Sequence, residues 1–255
     1  MSDLLVVMER VILKAVANWN NQMPRVVVHV SPLDEAIITN NLDVLDPSEQ
    51  AQSRRFLKEA DGKLFAFGRI QRRLVLGRYL GVSPARLMFT SSELGKPSLT
   101  GANGDQDLVL NTSQSSNFAS IAVTFGKGIE VGVDIERIDR RVTDVLARSC
   151  LSDFEYEWFN ALNHDKREAG FIRLWTCKEA IIKASGHGLL IDPKLVELDP
   201  VGLAIRSLPG DLGSSALYRL HADTVFSVVH LASCLITSSD ESTETIVVDD
   251  ILTSE

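Results

Sequence analysis

The chain has 255 residues, of which 45% are hydrophobic and 24% charged, a composition typical of a globular protein with one large domain or two small ones. No run of about 18 apolar residues occurs, which excludes a transmembrane helix. A net charge of −8 argues against general nucleic-acid binding, which needs a basic surface. The three cysteines, Cys150, Cys177 and Cys234, are widely separated and predict reduced thiols in a cytoplasmic compartment.

The two ends of the chain differ from its body. Residues 1–24 are apolar and predict a helical extension that ends at Pro24, and they carry acidic residues without the cleavage pattern of a secretory signal. From Asp240 onward there are six acidic residues and no Lys or Arg, which leaves the rest of the chain with a net charge of about −2. Residues 237–255 therefore predict an acidic, poorly ordered tail.

The first half of the body predicts a strand, a long helix and a second strand, at 25–30, about 47–80 and 87–90. The helix begins at a capping box formed by Asp46 and Glu49, with proline at its first position. We expect it to end at Gly81, with a possible break near Gly62.

The second half repeats this plan. A capping box of Ser152 and Glu155 begins a helical stretch that runs to Ser185 and ends at Gly186, and a strand follows near 195–198. The two capping boxes lie 106 positions apart, which predicts two copies of one α+β unit, at 25–126 and 127–236. Coincidence of common helix signals is the alternative. A cleft between two such lobes is a natural ligand site.

The stretch Glu130–Arg137 (EVGVDIER) alternates apolar and polar residues as a strand does. Asp134 and Glu136 therefore leave the same face of the strand, roughly 7 Å apart. Two carboxylates so placed can hold a hard cation such as Mg²⁺. The alternative is a half-buried strand with a solvated acidic face.

The stretch 171–188 (FIRLWTCKEAIIKASGHG) predicts a helix whose apolar stripe contains Glu179. A carboxylate in that position needs a cation or another partner to neutralise it. Lys178 and Lys183 flank it and could instead form a purely structural salt network with it.

Other common sites are absent from the sequence. Thr90–Ser98 contains Gly-Lys, but it lacks the first glycine and the final Ser or Thr of a phosphate-binding loop. No G-x-S-x-G or H-E-x-x-H motif occurs, which argues against the common serine and zinc hydrolases.

Four stretches together resemble the two-lobed, surfactin-type (Sfp-like) branch of the 4′-phosphopantetheinyl transferases. They are G-x-D-x-E at Gly132–Glu136, W-x-x-K-E-x-x-x-K at Trp175–Lys183, Gly95-Lys96-Pro97, and the segment Leu110–Ser115. The likeness covers about residues 25–235, with the motifs in the family's order.

This resemblance implies an α+β fold of two similar α/β lobes related by a pseudo-twofold axis. It implies an enzyme that uses Mg²⁺ to transfer the 4′-phosphopantetheine arm of coenzyme A to a serine of an apo acyl, peptidyl or aryl carrier protein, releasing adenosine 3′,5′-bisphosphate. The implied Mg²⁺ ligands are Asp134, Glu136 and Glu179. Glu179 is also the implied general base, with a water as the alternative, and Lys183 the implied catalytic partner of the pyrophosphate. The implied coenzyme A contacts are Lys96, Pro97, Ser113, Gln114, Lys178 and Lys183.

The chain departs from the family at residues that contact coenzyme A. Gln114 stands where the family has a histidine that contacts a phosphate, and His187 stands where a basic residue is frequent. Glu49 and Gln52 occupy positions where some relatives carry lysines for the 3′-phosphate. The residues that could compensate are Lys63, Arg69, Arg72 and Arg73.

These departures keep a second hypothesis open. A paralogue of the same fold could bind coenzyme A or a carrier protein without transfer, or catalyse another reaction. An unrelated structural α+β protein would require the ordered motifs to be accidental. We expect a cytoplasmic monomer, because a fused two-lobed chain has less need of a partner subunit, and we expect no nucleic-acid or membrane partner.

Overall fold

The computed structural model describes residues 25–101, 104, 107–139, 141–212, 217–225, 227–237 and 244–249. The helical extension predicted for residues 1–24 lies outside this part of the chain. The helices are α1 (Glu35–Asn40), α2 (Pro47–Ser53), α3 (Glu59–Leu80), α4 (Asp144–Cys150), α5 (Asp153–Ala161) and α6 (His164–Ser185). The strands are β1 (Arg25–Pro32), β2 (Met88–Ser91), β3 (Pro97–Thr100), β4 (Leu108–Ser115), β5 (Phe118–Phe125), β6 (Glu130–Arg137), β7 (Glu197–Leu198), β8 (Ile205–Ser207), β9 (Leu217–Val225), β10 (Val229–Thr237) and β11 (Glu244–Asp249).

The first lobe packs α3 against a sheet in which β5 pairs antiparallel with both β1 and β4. The capping box of Asp46 and Glu49 begins α2 as predicted. The helical stretch is interrupted at 54–58, upstream of the break predicted near Gly62. Gly62 lies inside α3, where a Cβ would come within 2.4 Å of the Ser53 carbonyl oxygen. Glycine there permits close contact between α2 and α3 rather than ending a helix.

The second lobe repeats this arrangement, with α6 packed on the sheet β6-β10-β9. Helices α3 and α6 each contain 22 residues, and each ends at a glycine with left-handed backbone, Gly81 at φ 64° and Gly186 at φ 76°. A side chain is disfavoured in that conformation, so glycine is the natural stop. The expectation of two similar α/β lobes is confirmed, and the repeat is not a coincidence of helix signals.

Each lobe also fastens its long helix to the preceding capping box through a buried ion pair. The Glu49 carboxylate accepts hydrogen bonds from Arg72 and Arg73, each at 2.7 Å. In the second lobe Glu155 lies 2.5 Å from the ammonium of Lys178, with both side chains fully buried. The third helical residue of each capping box thus has a second function as a tertiary anchor.

The lobes join where β4 lies beside β6. The Val133 amide donates a 3.0 Å hydrogen bond to Asn111 Oδ1 across this junction. Buried aliphatic residues of both lobes form a shared core behind it, among them Val26, Val28, Val131 and Val133. Parts of α3, β4, β6 and α6 are therefore brought to one place.

The C-terminal segment corrects one expectation. Glu244–Asp249 form β11, which pairs in parallel with β1 at the edge of the first lobe's sheet. These six residues are not the poorly ordered end predicted for the acidic tail, because the β-branched run Thr245–Val248 within them favours a strand. The rest of the predicted tail beyond Thr237 lies outside the described residues.

The cysteines lie in the interior of the protein. Cys150, Cys177 and Cys234 are buried free thiols. Among the helices of the described residues, none combines the length and apolarity that a membrane span requires.

Candidate active site

A cavity of about 470 Å³ opens between the lobes. Helix α3 and strand β4 of the first lobe form one wall, and α6 of the second lobe forms the other. Its lining includes Gly68, Arg69, Lys96, Pro97, Ser113, Gln114, Glu179 and Lys183. Most of the predicted site residues therefore meet in one place.

Gly132 explains how β6 reaches this cavity. A Cβ at this position would lie 2.1 Å from the Ala180 carbonyl oxygen and 2.3 Å from the Ala184 amide nitrogen. Only glycine lets the β6 backbone contact the α6 backbone so closely. The first residue of the G-x-D-x-E motif thus sets the distance between the strand's carboxylates and the residues on α6.

The two carboxylates of β6 are each held by a serine of β4. Ser113 Oγ donates to Asp134 Oδ1 at 2.8 Å, and Ser115 Oγ donates to Glu136 Oε2 at 2.6 Å. Asp134 is only 4% exposed, so it does not lie on a solvated acidic face. The serines fix both carboxylates toward the junction of the lobes.

Lys183 belongs to the same group. Its ammonium donates to Asp134 Oδ1 at 2.6 Å and to Ser113 Oγ at 3.0 Å, and 27% of its side chain is exposed. This partly open ammonium joins α6 to β6 and β4. It is therefore available to an anion that enters the cavity.

Glu179 lies one helical turn before Lys183 and lines the cavity. Burial raises the pKa of the Glu179 carboxyl above its usual value, and the charge of Asp134 raises it further. The nearby Lys183 ammonium acts in the opposite direction. Such a carboxylate is a better proton acceptor than an exposed one.

The oxygen donors here suit a hard cation. Asp134 Oδ2 is buried and has no hydrogen-bond partner among the described residues, so one carboxylate oxygen is free to bind a ligand. In the described part of the chain, no three Asp, Glu, His or Cys side chains already lie together as metal ligands. Asp134, Glu136 and Glu179 thus supply the oxygen donors that Mg²⁺ prefers, while here the Lys183 ammonium is bonded to Asp134 Oδ1.

Lys178 corrects a prediction. It is fully buried, pairs with Glu155, and donates to the carbonyl oxygens of Cys150 and Pro193, each at 2.9 Å. Burial lowers the pKa of its ammonium despite the attraction of Glu155. Its side chain holds the interior of the second lobe together, so the predicted contact with coenzyme A is not made. The structural salt network considered for this helix exists, but its acid is Glu155 rather than Glu179.

Lys96 and Pro97 line the cavity as expected, and Lys96 also ties the lobes together. Its ammonium lies 2.5 Å from Glu130 Oε2 and donates to the Ala184 carbonyl oxygen at 3.1 Å. Its charge is therefore already shared with two partners of the second lobe.

Gln114 lies against α3. Its Nε2 donates to the Leu64 carbonyl oxygen at 2.8 Å, and a Cβ on Gly68 would come within 1.6 Å of that nitrogen. The amide is held by the helix backbone, which leaves the first lobe's wall without a cation at this position.

The four cations that could compensate for Gln114 have different positions. Lys63 pairs with Glu35 and Glu59 on the surface. Arg72 and Arg73 are committed to Glu49. Arg69 alone among these four lines the cavity.

Sequence reasoning missed several residues of this site. Asn111, Ser115 and Gly68 were given no role there, and Arg69 was named only as one of four cations that could compensate. The sequence contains a signal for Asn111 and Ser115, because they alternate with Ser113 along β4 and so lie on the same face of the strand. The signal for Gly68 and Arg69 was weaker, because their place depends on how α3 packs against β4.

Comparisons with known proteins agree with these motifs. A family model described as the 4′-phosphopantetheinyl transferase superfamily matches residues 130–227, and one described as 4′-phosphopantetheinyl transferase, N-terminal, matches residues 31–125. The chain is 34% identical to the 4′-phosphopantetheinyl transferase HetI of Nostoc sp., over 66% of this chain and 70% of the relative. It is 26% identical to the transferase Sfp of Bacillus subtilis, over 62% and 67% of the two chains. It is 29% identical to the L-aminoadipate-semialdehyde dehydrogenase-phosphopantetheinyl transferase of Xenopus laevis, over 63% and 56%.

Proposed function

Because this chain belongs to the 4′-phosphopantetheinyl transferase superfamily, we propose that it transfers the phosphopantetheine arm of coenzyme A to a serine of an apo acyl, peptidyl or aryl carrier protein. The other product is adenosine 3′,5′-bisphosphate. The observation that carries the proposal is that Ser113, Glu179 and Lys183 line one cavity between the lobes, with Asp134 hydrogen-bonded behind them to Ser113 and Lys183.

In the reaction, the serine oxygen of the carrier forms a bond to the phosphorus that bears the pantetheine arm. The bond from that phosphorus to the bridging oxygen of the pyrophosphate breaks, and the bisphosphate leaves with the electron pair. Such a transfer depends on charge neutralisation and alignment more than on covalent catalysis.

The residues of the cavity divide this work between them. Asp134, Glu136 and Glu179 would hold Mg²⁺, which when bound neutralises phosphate charge. Lys183 meets the pyrophosphate with its partly exposed ammonium. Glu179 accepts the serine proton, directly or through a water, and its raised pKa suits that role.

Intact-mass measurement tests the proposal. Apo carrier protein incubated with this protein, coenzyme A and Mg²⁺ should gain the mass of the phosphopantetheine arm. Lys183→Met should abolish the gain in a protein that still folds, with a lowered Tm because the buried Asp134 loses its 2.6 Å partner, whereas Lys166→Met, which removes an exposed lysine on the same helix, should change neither. A carrier that stays unmodified under all these conditions would contradict the transfer.

A second candidate function is a non-transferring paralogue that binds coenzyme A or a carrier protein. Gln114 favours it, because the neutral amide weakens the expected phosphate contact. Binding of coenzyme A without any mass gain on several carriers would support this alternative.

We also propose that the protein acts in the cytoplasm as a monomer, with lobes at 25–126 and 127–236. The three free thiols support the compartment, because a reducing environment keeps cysteines unpaired. The net charge of −8 supports the proposal that nucleic acid is not among its partners.

A further inference from the structure

Arg69 is an unpaired cation on the first lobe's wall of the cavity. Among the described residues its guanidinium makes no hydrogen bond or ion pair, and its contact is with the face of Phe65, 4.8 Å from the ring centroid. Burial lowers the pKa of Arg69 from its usual value, which shows that its charge is partly desolvated. The charges of Glu49 and Asp46 attract Arg69, but among the described residues neither carboxylate bonds to its guanidinium, so its hydrogen-bond donors lack an anionic partner there.

The neighbouring cations do not share this property. Arg72 and Arg73, on the next turn of α3, are both bonded to Glu49. Lys96 is bonded to Glu130 and to the Ala184 carbonyl oxygen. Arg69 therefore keeps its hydrogen-bond donors for a molecule that enters the cavity.

The stacking on Phe65 prepares the guanidinium for such a molecule. A flat aromatic face restricts the rotation of the planar group and leaves its edge, which carries the N–H donors, free. A guanidinium edge binds a phosphate through two parallel hydrogen bonds. Less conformational freedom is then lost when the anion binds.

If the donor is coenzyme A, as proposed above, it brings two separate anionic groups, the pyrophosphate and the ribose 3′-phosphate. Lys183 lies on the second lobe's wall beside the carboxylates, where the pyrophosphate must react. Arg69 lies on the opposite wall. We propose that Arg69 binds the 3′-phosphate of the donor, and that it does so in place of a cation at position 114.

The side chain at position 114 is consistent with this assignment. Gln114 packs on Gly68, the residue before Arg69, and its amide is held by the Leu64 carbonyl oxygen. A protonated imidazole at that position would place a second positive charge beside a partly desolvated guanidinium, and like charges there repel. The neutral glutamine avoids this repulsion, and the cation on this wall of the cavity is Arg69 of α3 rather than a residue of β4.

The test is a binding titration of coenzyme A and of dephospho-coenzyme A, which lacks the 3′-phosphate, at one ionic strength. The proteins are the wild type, Arg69→Gln and Arg69→Lys. Arg78→Gln is the matched control, because it removes the same charge from an exposed position of the same helix. Thermal unfolding of each variant confirms that it folds, which we expect because Arg69 has no ion pair to lose.

The wild type should bind coenzyme A more tightly than the dephospho form, by a factor on the order of 10 to 100 for a charged hydrogen-bonded contact. Arg69→Gln should remove most of this difference by weakening coenzyme A alone, Arg69→Lys should keep part of it, and Arg78→Gln all of it.

Two results would overturn the assignment while leaving the proposed function in place. One is equal weakening of both ligands by Arg69→Gln, which would assign Arg69 to the pyrophosphate. The other is no change in either titration. If the wild type binds neither ligand, coenzyme A is not the donor, and the proposed function fails together with this inference.

Discussion

Replacing Lys178 by methionine removes one member of a fully buried ion pair. The Glu155 carboxylate would keep hydrogen bonds from the amides of Ser152 and Leu198, at 2.8 and 2.9 Å, but would lose its counter-charge. Breaking such a pair from one side costs about 3–5 kcal/mol. For a chain of this size that lowers the Tm by roughly 6–20 °C.

The assay is thermal unfolding followed by circular dichroism, with a coenzyme A titration of the folded variant below its transition. We expect a large loss of Tm and unchanged affinity, because Lys178 points away from the cavity. Lys166→Met on the exposed face of α6 should change neither quantity. Adding Glu155→Gln to Lys178→Met should restore part of the Tm, because the unpaired buried charge is gone.

The opposite result would refute this reasoning. If Lys178→Met leaves the Tm unchanged and weakens coenzyme A as strongly as Lys183→Met does, Lys178 binds the ligand and its placement inside the second lobe is incorrect.

Three further predictions concern the site. Gly132→Ala should destabilise the protein by at least about 2 kcal/mol in chemical denaturation, because its Cβ would meet backbone atoms of α6 that cannot move aside; a neutral effect would mean that β6 and α6 separate easily. Glu179→Gln should raise the Tm of the metal-free protein at neutral pH, since the raised pKa of Glu179 means that its ionisation opposes folding. The gain in Tm should be absent below about pH 4.5 and should grow as the pH rises from there through the raised pKa. A Tm difference that does not depend on pH would contradict this prediction. Asp134→Asn should abolish transfer and also lower the Tm, because Lys183 loses its 2.6 Å partner; full activity in this variant would place the cation elsewhere.

Local signals in the sequence predicted the elements that carry the site. The alternation in Glu130–Arg137 predicted β6 with its bounds, because a half-buried strand imposes that period. Gly81 and Gly186 predicted the ends of α3 and α6, because both require a left-handed backbone. These signals depend on a residue and its near neighbours only.

Features that depend on distant residues were not predictable in the same way. Lys178 and Lys183 are both polar residues of one motif, and only tertiary packing shows that the first faces Glu155 and the second faces Asp134. The pairing of β11 with β1 joins the two ends of the described chain; the β-branched run Thr245–Val248 favours a strand but does not indicate which strand it pairs with. Likewise, only tertiary packing shows that Arg72 and Arg73 of α3 pair with Glu49, whereas Arg69 lines the cavity.

Comparing the two copies of the internal repeat distinguishes residues that stabilise each lobe from residues proposed to take part in the reaction. Strands β1 and β6, and helices α3 and α6, correspond at an offset of 105 positions. At that offset Lys178 corresponds to Arg73, and both are buried and paired with a capping-box glutamate, so this cation is common to the two lobes.

The residues at the cavity have no such counterparts. Asp134 corresponds to His29, which is buried in the first lobe and hydrogen-bonded to the Tyr79 hydroxyl at 2.9 Å. Glu179 corresponds to Leu74 of the same lobe, a residue that packs into its core. A duplicated unit retains in both copies the contacts on which each copy's folding depends. The carboxylates exist in one copy only, which is the distribution expected of residues selected for a reaction at the junction rather than for the stability of either lobe.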